Sequence, residues 1–245
     1  MKALISLLTL TPTLVFALSS VNASAAINLD FTSLPSAQGW FYIGQNTSAT
    51  TESSVFSVSG GVLTQNTLGV VSYAPSSNRY NLFDALTTGL DYTLEVRAQL
   101  SQEQYYDANN HWAFGAGFFD GTGAAYGFGL GDAGVKTDWG FYTGIDTHDD
   151  HTYRLVSHAA SASSPASAEL WIDGAFISQG NVGNYGSCAP LGALCNSVYL
   201  GDGTSGPNAS GKYYSFSMAP VPEPETWAML LAGLGLVGFA ARRRA

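Results

Sequence analysis

The chain has 245 residues, of which only 11% are charged, while 46% are hydrophobic and 13% are aromatic. This apolar content excludes a disordered chain, and the scarcity of Glu, Lys and Arg excludes a coiled coil or helical bundle. The formal net charge of −9 excludes a nucleic-acid binder, because phosphate contacts need a basic surface. With 28 glycines, the composition favours an exported all-β protein.

A basic start, an apolar stretch and small residues open the chain. Lys2 precedes the apolar residues 3–18, and the triplet Ala23-Ser24-Ala25 follows. This order is typical of a secretory signal peptide. We therefore predict a helical signal peptide over residues 1–25 and a mature chain that begins near Ala26.

Residues 26–219 are predicted to form a single β domain. The clearest strand covers residues 91–100, where Tyr92, Leu94 and Val96 alternate with polar residues. Such alternation indicates one buried and one solvated face. Further strands are predicted at residues 54–58, 61–65, 69–74, 111–119, 124–131, 138–143, 151–158, 168–173, 196–201 and 211–218. Asp-Gly turns between many short strands favour a two-sheet antiparallel jelly-roll sandwich.

Three segments near the end of this domain carry a resemblance. They are His151-Thr152-Tyr153-Arg154-Leu155-Val156, Ala168-Glu169-Leu170-Trp171-Ile172-Asp173-Gly174, and residues 196–203. Their order is similar to the last strands of laminin-G-like, concanavalin-A-like lectin/glucanase jelly rolls. The resemblance implies a sandwich whose concave face binds glycans, peptides or a calcium ion.

The paired carboxylates of a glucanase are missing from the sequence. Glucanases of this fold carry a Glu-x-Asp-x-x-Glu pattern on one strand face, and Glu169 and Asp173 are the nearest approach. At ~3.3 Å per residue they would lie ~13 Å apart, too far for either hydrolytic geometry. We therefore predict a non-enzymatic protein, with a polysaccharide hydrolase or lyase on the same fold as the alternative.

Aromatic residues supply the candidate binding site. Sugars stack on exposed aromatic rings, and one of two consecutive strand residues faces outward. This argument selects Tyr106 and Tyr142 as outward-facing, with His111 beside Trp112. The strand at residues 124–131 has a bare Gly/Ala face, which lets either a ligand or a covering loop approach the backbone.

Acidic residues in glycine-rich turns are the candidate metal ligands. Asp120, Asp132 and Asp202 each adjoin a glycine. Such turns offer the carboxylate and carbonyl oxygens that calcium prefers. Hairpin turn chemistry explains the same pattern without any metal, so calcium stays one of two interpretations.

Cys188 and Cys195 are the two cysteines of the chain. In an exported protein they are expected to form a disulfide that closes a small loop. A catalytic role is not predicted, because no Cys-x-x-Cys spacing occurs.

The C-terminal tail, residues 220–245, has three ordered parts. Pro222-Glu223-Pro224 precedes an apolar stretch at residues 227–241, and Arg242, Arg243 and Arg244 follow it. Fifteen helical residues span ~22 Å, which flanking arginines can extend across a bilayer of ~30 Å. The pattern predicts a transmembrane helix that anchors the folded domain outside the inner membrane.

This tail resembles the PEP-CTERM sorting signal. The resemblance implies a Gram-negative, exopolysaccharide-producing bacterium and an exosortase that transiently binds the tail and cleaves it. It implies an inner-membrane-anchored precursor and then a protein at the cell surface or outside the cell.

Together these observations predict an exosortase-sorted surface or matrix protein that binds extracellular polysaccharide or another surface component. A purely structural matrix protein is a further alternative. Residues 26–219 hold five basic and 16 acidic side chains, a net charge of −11, which repels acidic polymers at long range.

Overall fold

The computed structural model describes residues 25–44, 50–69, 78–104, 111–184, 195–203 and 207–222, with the helical residues 232–234, 239 and 242 of the tail. Besides these tail residues, the described parts contain two short helices, the 3₁₀ helix Pro35–Gln38 and α1 at Glu52–Val55. The strands are β1 Ile27–Leu29, β2 Phe41–Ile43, β3 Phe56–Ser59, β4 Val62–Asn66, β5 Arg79–Phe83, β6 Tyr92–Gln104, β7 Gly115–Phe119, β8 Ala124–Gly131, β9 Gly134–Thr137, β10 Gly140–Thr143, β11 His151–His158, β12 Ser167–Ile172, β13 Ala175–Asn181, β14 Gly183–Asn184, β15 Ser197–Gly201 and β16 Asn208–Pro220.

These strands form two antiparallel sheets of eight strands each. The first sheet has the order β13-β12-β11-β6-β16-β4-β3, and β1 also pairs with β16. The second has the order β10-β9-β8-β7-β15-β5-β2, and β14 also pairs with β8. The described strand pairs are antiparallel. The predicted all-β, two-sheet antiparallel sandwich is therefore confirmed.

Strand β6 forms the middle of the first sheet. Tyr92, Leu94 and Val96 are buried, whereas Glu95 and Arg97 between them are exposed. The alternation read from the sequence is therefore confirmed, although the strand continues to Gln104. Its neighbour β16 pairs with it from Tyr92 to Gln104, and β11 pairs with the part from Thr93 to Ala98.

The core lies between the inner faces of the two sheets. Phe128 of β8 stacks on Tyr153 of β11 with ring centroids 5.1 Å apart. Phe114, just before β7, stacks on Tyr213 of β16 at 4.3 Å. The Tyr213 hydroxyl donates to the carbonyl oxygen of Gly115 at 3.0 Å. Large aromatic rings thus span the gap between the sheets and bury most of their area there.

The predicted membrane-associated ends are largely outside the described residues. Within the part of the chain that the structure covers, no helix is long and apolar enough to cross a membrane. The predicted signal helix and transmembrane helix stay predictions.

Strand β8 has one face that carries almost no side chain. Its inner residues Tyr126, Phe128 and Leu130 are buried in the core, whereas Gly127, Gly129 and Gly131 occupy the outer face. A Cβ at position 129 would lie 2.0 Å from the carbonyl oxygen of His111. The sequence allowed either a ligand or a loop of the chain itself to cover this face. At Gly129 the backbone of His111 covers it.

Replacing Gly129 by alanine tests this contact. We expect Gly129→Ala to destabilise the fold by about 1–3 kcal/mol, because the added methyl group overlaps backbone rather than a flexible side chain. Denaturant unfolding of the exported protein measures the change. Gly183→Ala is the control, since the nearest atom to its Cβ lies 3.8 Å away. Equal stabilities of the two variants would contradict the argument.

Candidate functional site

A cleft on the outer face of the second sheet is the candidate site. Its volume is about 170 Å³. It combines aromatic rings with one basic and one acidic side chain, and its lining residues are Arg79, Trp112, Phe119, Ala125, Asp138, Tyr199 and Gly203. Apolar concave surfaces with a few polar groups are the usual form of a small-molecule site.

Neighbouring strands place these side chains on one face. Tyr199 of β15 lies opposite Gly117 of β7 on one side and Asn81 of β5 on the other. A Cβ at Gly117 or Gly127 would lie 2.5 Å or 2.3 Å from the Tyr199 hydroxyl oxygen. The Tyr199 ring therefore lies close over two glycines, and this packing forms the floor of the cleft.

Arg79 enters the cleft from β5. It is only 6% exposed, and its Nε donates to Asn81 Oδ1 at 2.9 Å. The guanidinium carbon lies 5.3 Å from the centroid of the Tyr199 ring, a cation–π distance. Burial lowers the pKa of Arg79, and the attraction of Tyr199 and Asp202 opposes this shift only in part. The cleft therefore holds a positive charge that water barely reaches.

Asp138, in the turn between β9 and β10, contributes the acidic group. Its side chain is at the surface of the cleft, yet withdrawal of water by the surrounding protein raises its pKa to about 6. The nearby Lys136 and the backbone N–H of Gly183 oppose this shift. A carboxyl with a raised pKa inside a cleft is a common property of functional sites.

The raised pKa predicts how Asp138 affects stability. Because the folded state disfavours the ionised carboxylate, Asp138 destabilises the fold above pH 6, and this penalty disappears as the pH falls toward 3.8. We expect Asp138→Asn to raise the thermal midpoint at pH 7.5 and to leave it nearly unchanged at pH 4. Thermal unfolding at both pH values measures this, with Asp149→Asn in an exposed loop as control. A gain of the same size at both pH values would contradict the assignment.

The predicted binding residues have different positions in the structure. Trp112 lines the cleft, with its indole 3.3 Å from the Cβ position of Gly127. Tyr142 packs against the core, whereas its neighbour Phe141 pairs with Lys136 on the outer face. This corrects the expected outward orientation of Tyr142, because the register of β9 with β10 places Tyr142 beside the buried Val135. Tyr106 lies outside the described residues.

His111 is buried rather than open to a ligand. Its Nδ1 lies 3.0 Å from Glu103 Oε1, and both side chains are 0% exposed. The imidazole also stacks on Phe141, with ring centroids 4.5 Å apart. Burial raises the pKa of Glu103, and the pairing with His111 opposes this shift. His111 was predicted as a binding residue, and this burial corrects that prediction. Its contact with Glu103 instead connects the end of β6 to the outer face of the second sheet.

A double-mutant cycle tests this pair. Glu103→Leu and His111→Leu are each expected to cost about 3–5 kcal/mol, because each breaks a fully buried polar pair and removes a hydrogen bond from the side chain that remains. The double variant is expected to lose clearly less than the sum of the two. Denaturant unfolding provides the four stabilities. Additive losses would show that the two side chains contribute independently.

The predicted metal ligands do not converge. Asp120 caps the β7–β8 hairpin, where its Oδ1 accepts from the backbone N–H groups of Thr122 and Ala124 at 2.9 Å each. Asp132 is exposed, and its Oδ1 lies 3.4 Å from His148 Nε2. Asp202 is buried after β15. In the described ranges, no three His, Cys, Asp or Glu side chains are grouped as a metal site. Calcium binding stays a prediction.

The predicted disulfide and sorting signal are only partly described. No free cysteine is found among the described residues, and Cys188 lies outside them, so the pairing with Cys195 stays a prediction. Pro222 follows β16 and is exposed, and Arg242 is helical. The other sorting residues, Glu223, Pro224, Arg243 and Arg244, lie outside the described residues.

Sequence reasoning missed Arg79, Phe119, Asp138 and Tyr199 as parts of one site. They are distant in sequence, and only strand pairing brings them together. One available signal was Arg79 itself, one of five basic residues in the predicted domain. Another was the position of Tyr199 between two apolar residues that face the core.

Comparison with known sequences identifies the tail. Residues 220–244 match the PEP-CTERM protein-sorting motif. The predicted sorting signal is therefore confirmed, and the motif implies an exported protein that an exosortase processes after transient membrane anchoring. No curated protein has a sequence that matches the chain.

Solved structures with similar folds include carbohydrate-acting enzymes and the receptor-binding domains of botulinum neurotoxins. A carbohydrate esterase from the Shiga toxin-encoding bacteriophage phi24B is 13% identical, with a TM-score of 0.51 over 82% of this chain and 99% of the esterase. An endo-1,3-β-glucanase from Streptomyces sioyaensis is 13% identical, with a TM-score of 0.44 over 80% of this chain and 96% of the glucanase. At these sequence identities the similarity shows the fold alone, and the esterase structure supports the β-sandwich fold of this chain.

Proposed function

We propose that this exported protein is a non-catalytic glycan-binding protein of the cell surface or extracellular matrix. The observation that carries the proposal is the cleft in which Trp112, Phe119 and Tyr199 surround Arg79 and Asp138. Aromatic rings offer apolar faces to the C–H groups of a sugar, and the two charged groups supply a hydrogen-bond donor and acceptor for its hydroxyl groups.

The size of the cleft limits what it holds. Drug-sized ligands occupy pockets of about 300–1,000 Å³, and this cleft has about 170 Å³. One sugar ring is therefore the natural occupant, with the rest of a polysaccharide chain outside the cleft. Many such weak contacts along one polymer add up through effective concentration, as expected of a matrix protein.

The sorting tail supports the same proposal. The PEP-CTERM motif implies an exported protein, and proteins with this motif are expected in bacteria that secrete polysaccharide. Calcium remains a proposed aid to binding, since Asp132 is exposed at the β8–β9 turn.

Glycan binding is tested with the exported protein and two tryptophan variants. The wild type is expected to bind at least one polysaccharide on a glycan array, measured with and without calcium. Trp112→Ala is expected to weaken binding about tenfold or more, because it removes a central aromatic contact of the cleft. Trp171→Ala is the matched control, since Trp171 lies on the first sheet beside Phe176 and Arg154. Absence of binding to every glycan in both conditions would overturn the proposal.

A polysaccharide hydrolase or lyase on the same fold is the second candidate. The raised pKa of Asp138 favours it, because a carboxyl of this kind can act as a general acid. Hydrolysis ordinarily needs a second carboxyl within about 5–9.5 Å, and among the described residues Asp138 is the single carboxylate that lines the cleft. Reducing ends released by the wild type and lost in Asp138→Asn would favour this candidate.

A further inference from the structure

The hydrogen bonding of Arg79 is incomplete. A guanidinium group carries five N–H donors, and among the described residues the one hydrogen-bond partner of Arg79 is Asn81, whose Oδ1 accepts from Nε. No hydrogen bond or ion pair joins Nη1 or Nη2 to a residue in the described parts of the chain. The side chain is nevertheless 94% buried and lines the cleft. The Nη donors lie at the cleft, where an acceptor on a ligand can reach them and where the surrounding protein excludes most of the water that would otherwise compete.

The charge of Arg79 is compensated only in part. The Tyr199 ring offers its negative face to the guanidinium at 5.3 Å, and the buried Asp202 attracts the same group. Burial still outweighs both effects and lowers the pKa of Arg79. An acceptor with a negative charge would relieve the desolvated cation more than a neutral hydroxyl would.

The remaining donors also have a specific shape. With Nε held by Asn81, the guanidinium plane is fixed, and the four N–H groups of Nη1 and Nη2 form a rigid fork. Two parallel N–H groups match the two oxygens of a carboxylate. A sugar with a carboxylate can thus pair with Arg79 while its ring contacts the aromatic side chains.

We infer that the cleft selects a carboxylate-bearing sugar residue, such as a uronate of an acidic polysaccharide, through the free edge of the Arg79 guanidinium. This inference rests on the proposed glycan-binding function and adds the ligand class to it. The domain's net charge of −11 repels an acidic polymer at a distance, but salt screens that repulsion beyond ~8 Å at physiological ionic strength. The contact with Arg79 acts at shorter range and is partly shielded from solvent.

The test compares two ligands that differ only in the carboxylate. The full exported protein is titrated calorimetrically with an oligosaccharide of alternating glucose and glucuronate. It is then titrated with the same oligosaccharide after reduction of the carboxylates to hydroxymethyl groups. The acidic ligand is expected to bind about tenfold tighter or more, as for a charge-assisted hydrogen bond.

An arginine variant and a matched control assign the effect to Arg79. Arg79→Lys keeps the charge but removes the fork, so it is expected to lose most of the preference for the acidic ligand. Arg97→Gln is the control: Arg97 also lies over a tyrosine ring, Tyr214 at 5.2 Å, but on the first sheet, where it is paired with Asp150. The Arg97→Gln variant should prefer the acidic oligosaccharide over the reduced one to the same extent as the wild type.

The outcomes separate this inference from the proposed function. Equal affinity for the two oligosaccharides, or binding to neutral glycans alone, would overturn the carboxylate preference and leave glycan binding in place. Absence of binding to both, and to every glycan on the array, would overturn both proposals. If Arg79→Lys fails to fold, the two ligands compared on the wild type still decide the question.

Discussion

The rest of the second sheet depends on one constraint, the close packing of His111 and Tyr199 against the glycine face of β8. Gly127, Gly129 and Gly131 have no side chains, so the backbone of His111 and the ring of Tyr199 can lie directly on the sheet. These contacts leave a cleft between Trp112 and β5 instead of a flat surface. A single methyl group on this face would separate the covering residues from the strand.

The same packing explains why so many polar groups are buried on one face. The side chains of Glu103 and His111 are both fully buried, and they hydrogen-bond to each other. In the cleft, Arg79 is held by a hydrogen bond to Asn81 and by the ring of Tyr199. The two sites differ in their hydrogen bonding: Glu103 and His111 bond to each other, whereas the Nη donors of Arg79 have no partner among the described residues and can reach a ligand. A cation held in a cleft with donors left for a ligand is better explained by recognition than by stability.

Sequence patterns predicted strands best where burial alternates cleanly. Strand β11 has the predicted bounds, 151–158, because its residues alternate between the core and the outer face. Strand β8 also has the predicted bounds, 124–131, although all its residues are buried, because large apolar side chains alternate with glycines along it. Strand β5 was missed because its outward residues Arg79 and Asn81 are polar yet buried, so hydrophobicity does not mark the strand. Strand β13, at the edge of the first sheet, was missed because none of its residues is fully buried. The sorting tail was found from sequence since its signal is linear.

The sequence by itself determined the C-terminal sorting signal, the all-β class and the bare face of β8, because each depends on local composition or on a period of two residues. It also placed Trp112 in the candidate site. Only the tertiary structure decided which side chains meet, because register and sheet order are set by contacts between residues far apart in the chain. Those contacts buried His111, turned Tyr142 toward the core and brought Arg79, Asp138 and Tyr199 to one cleft.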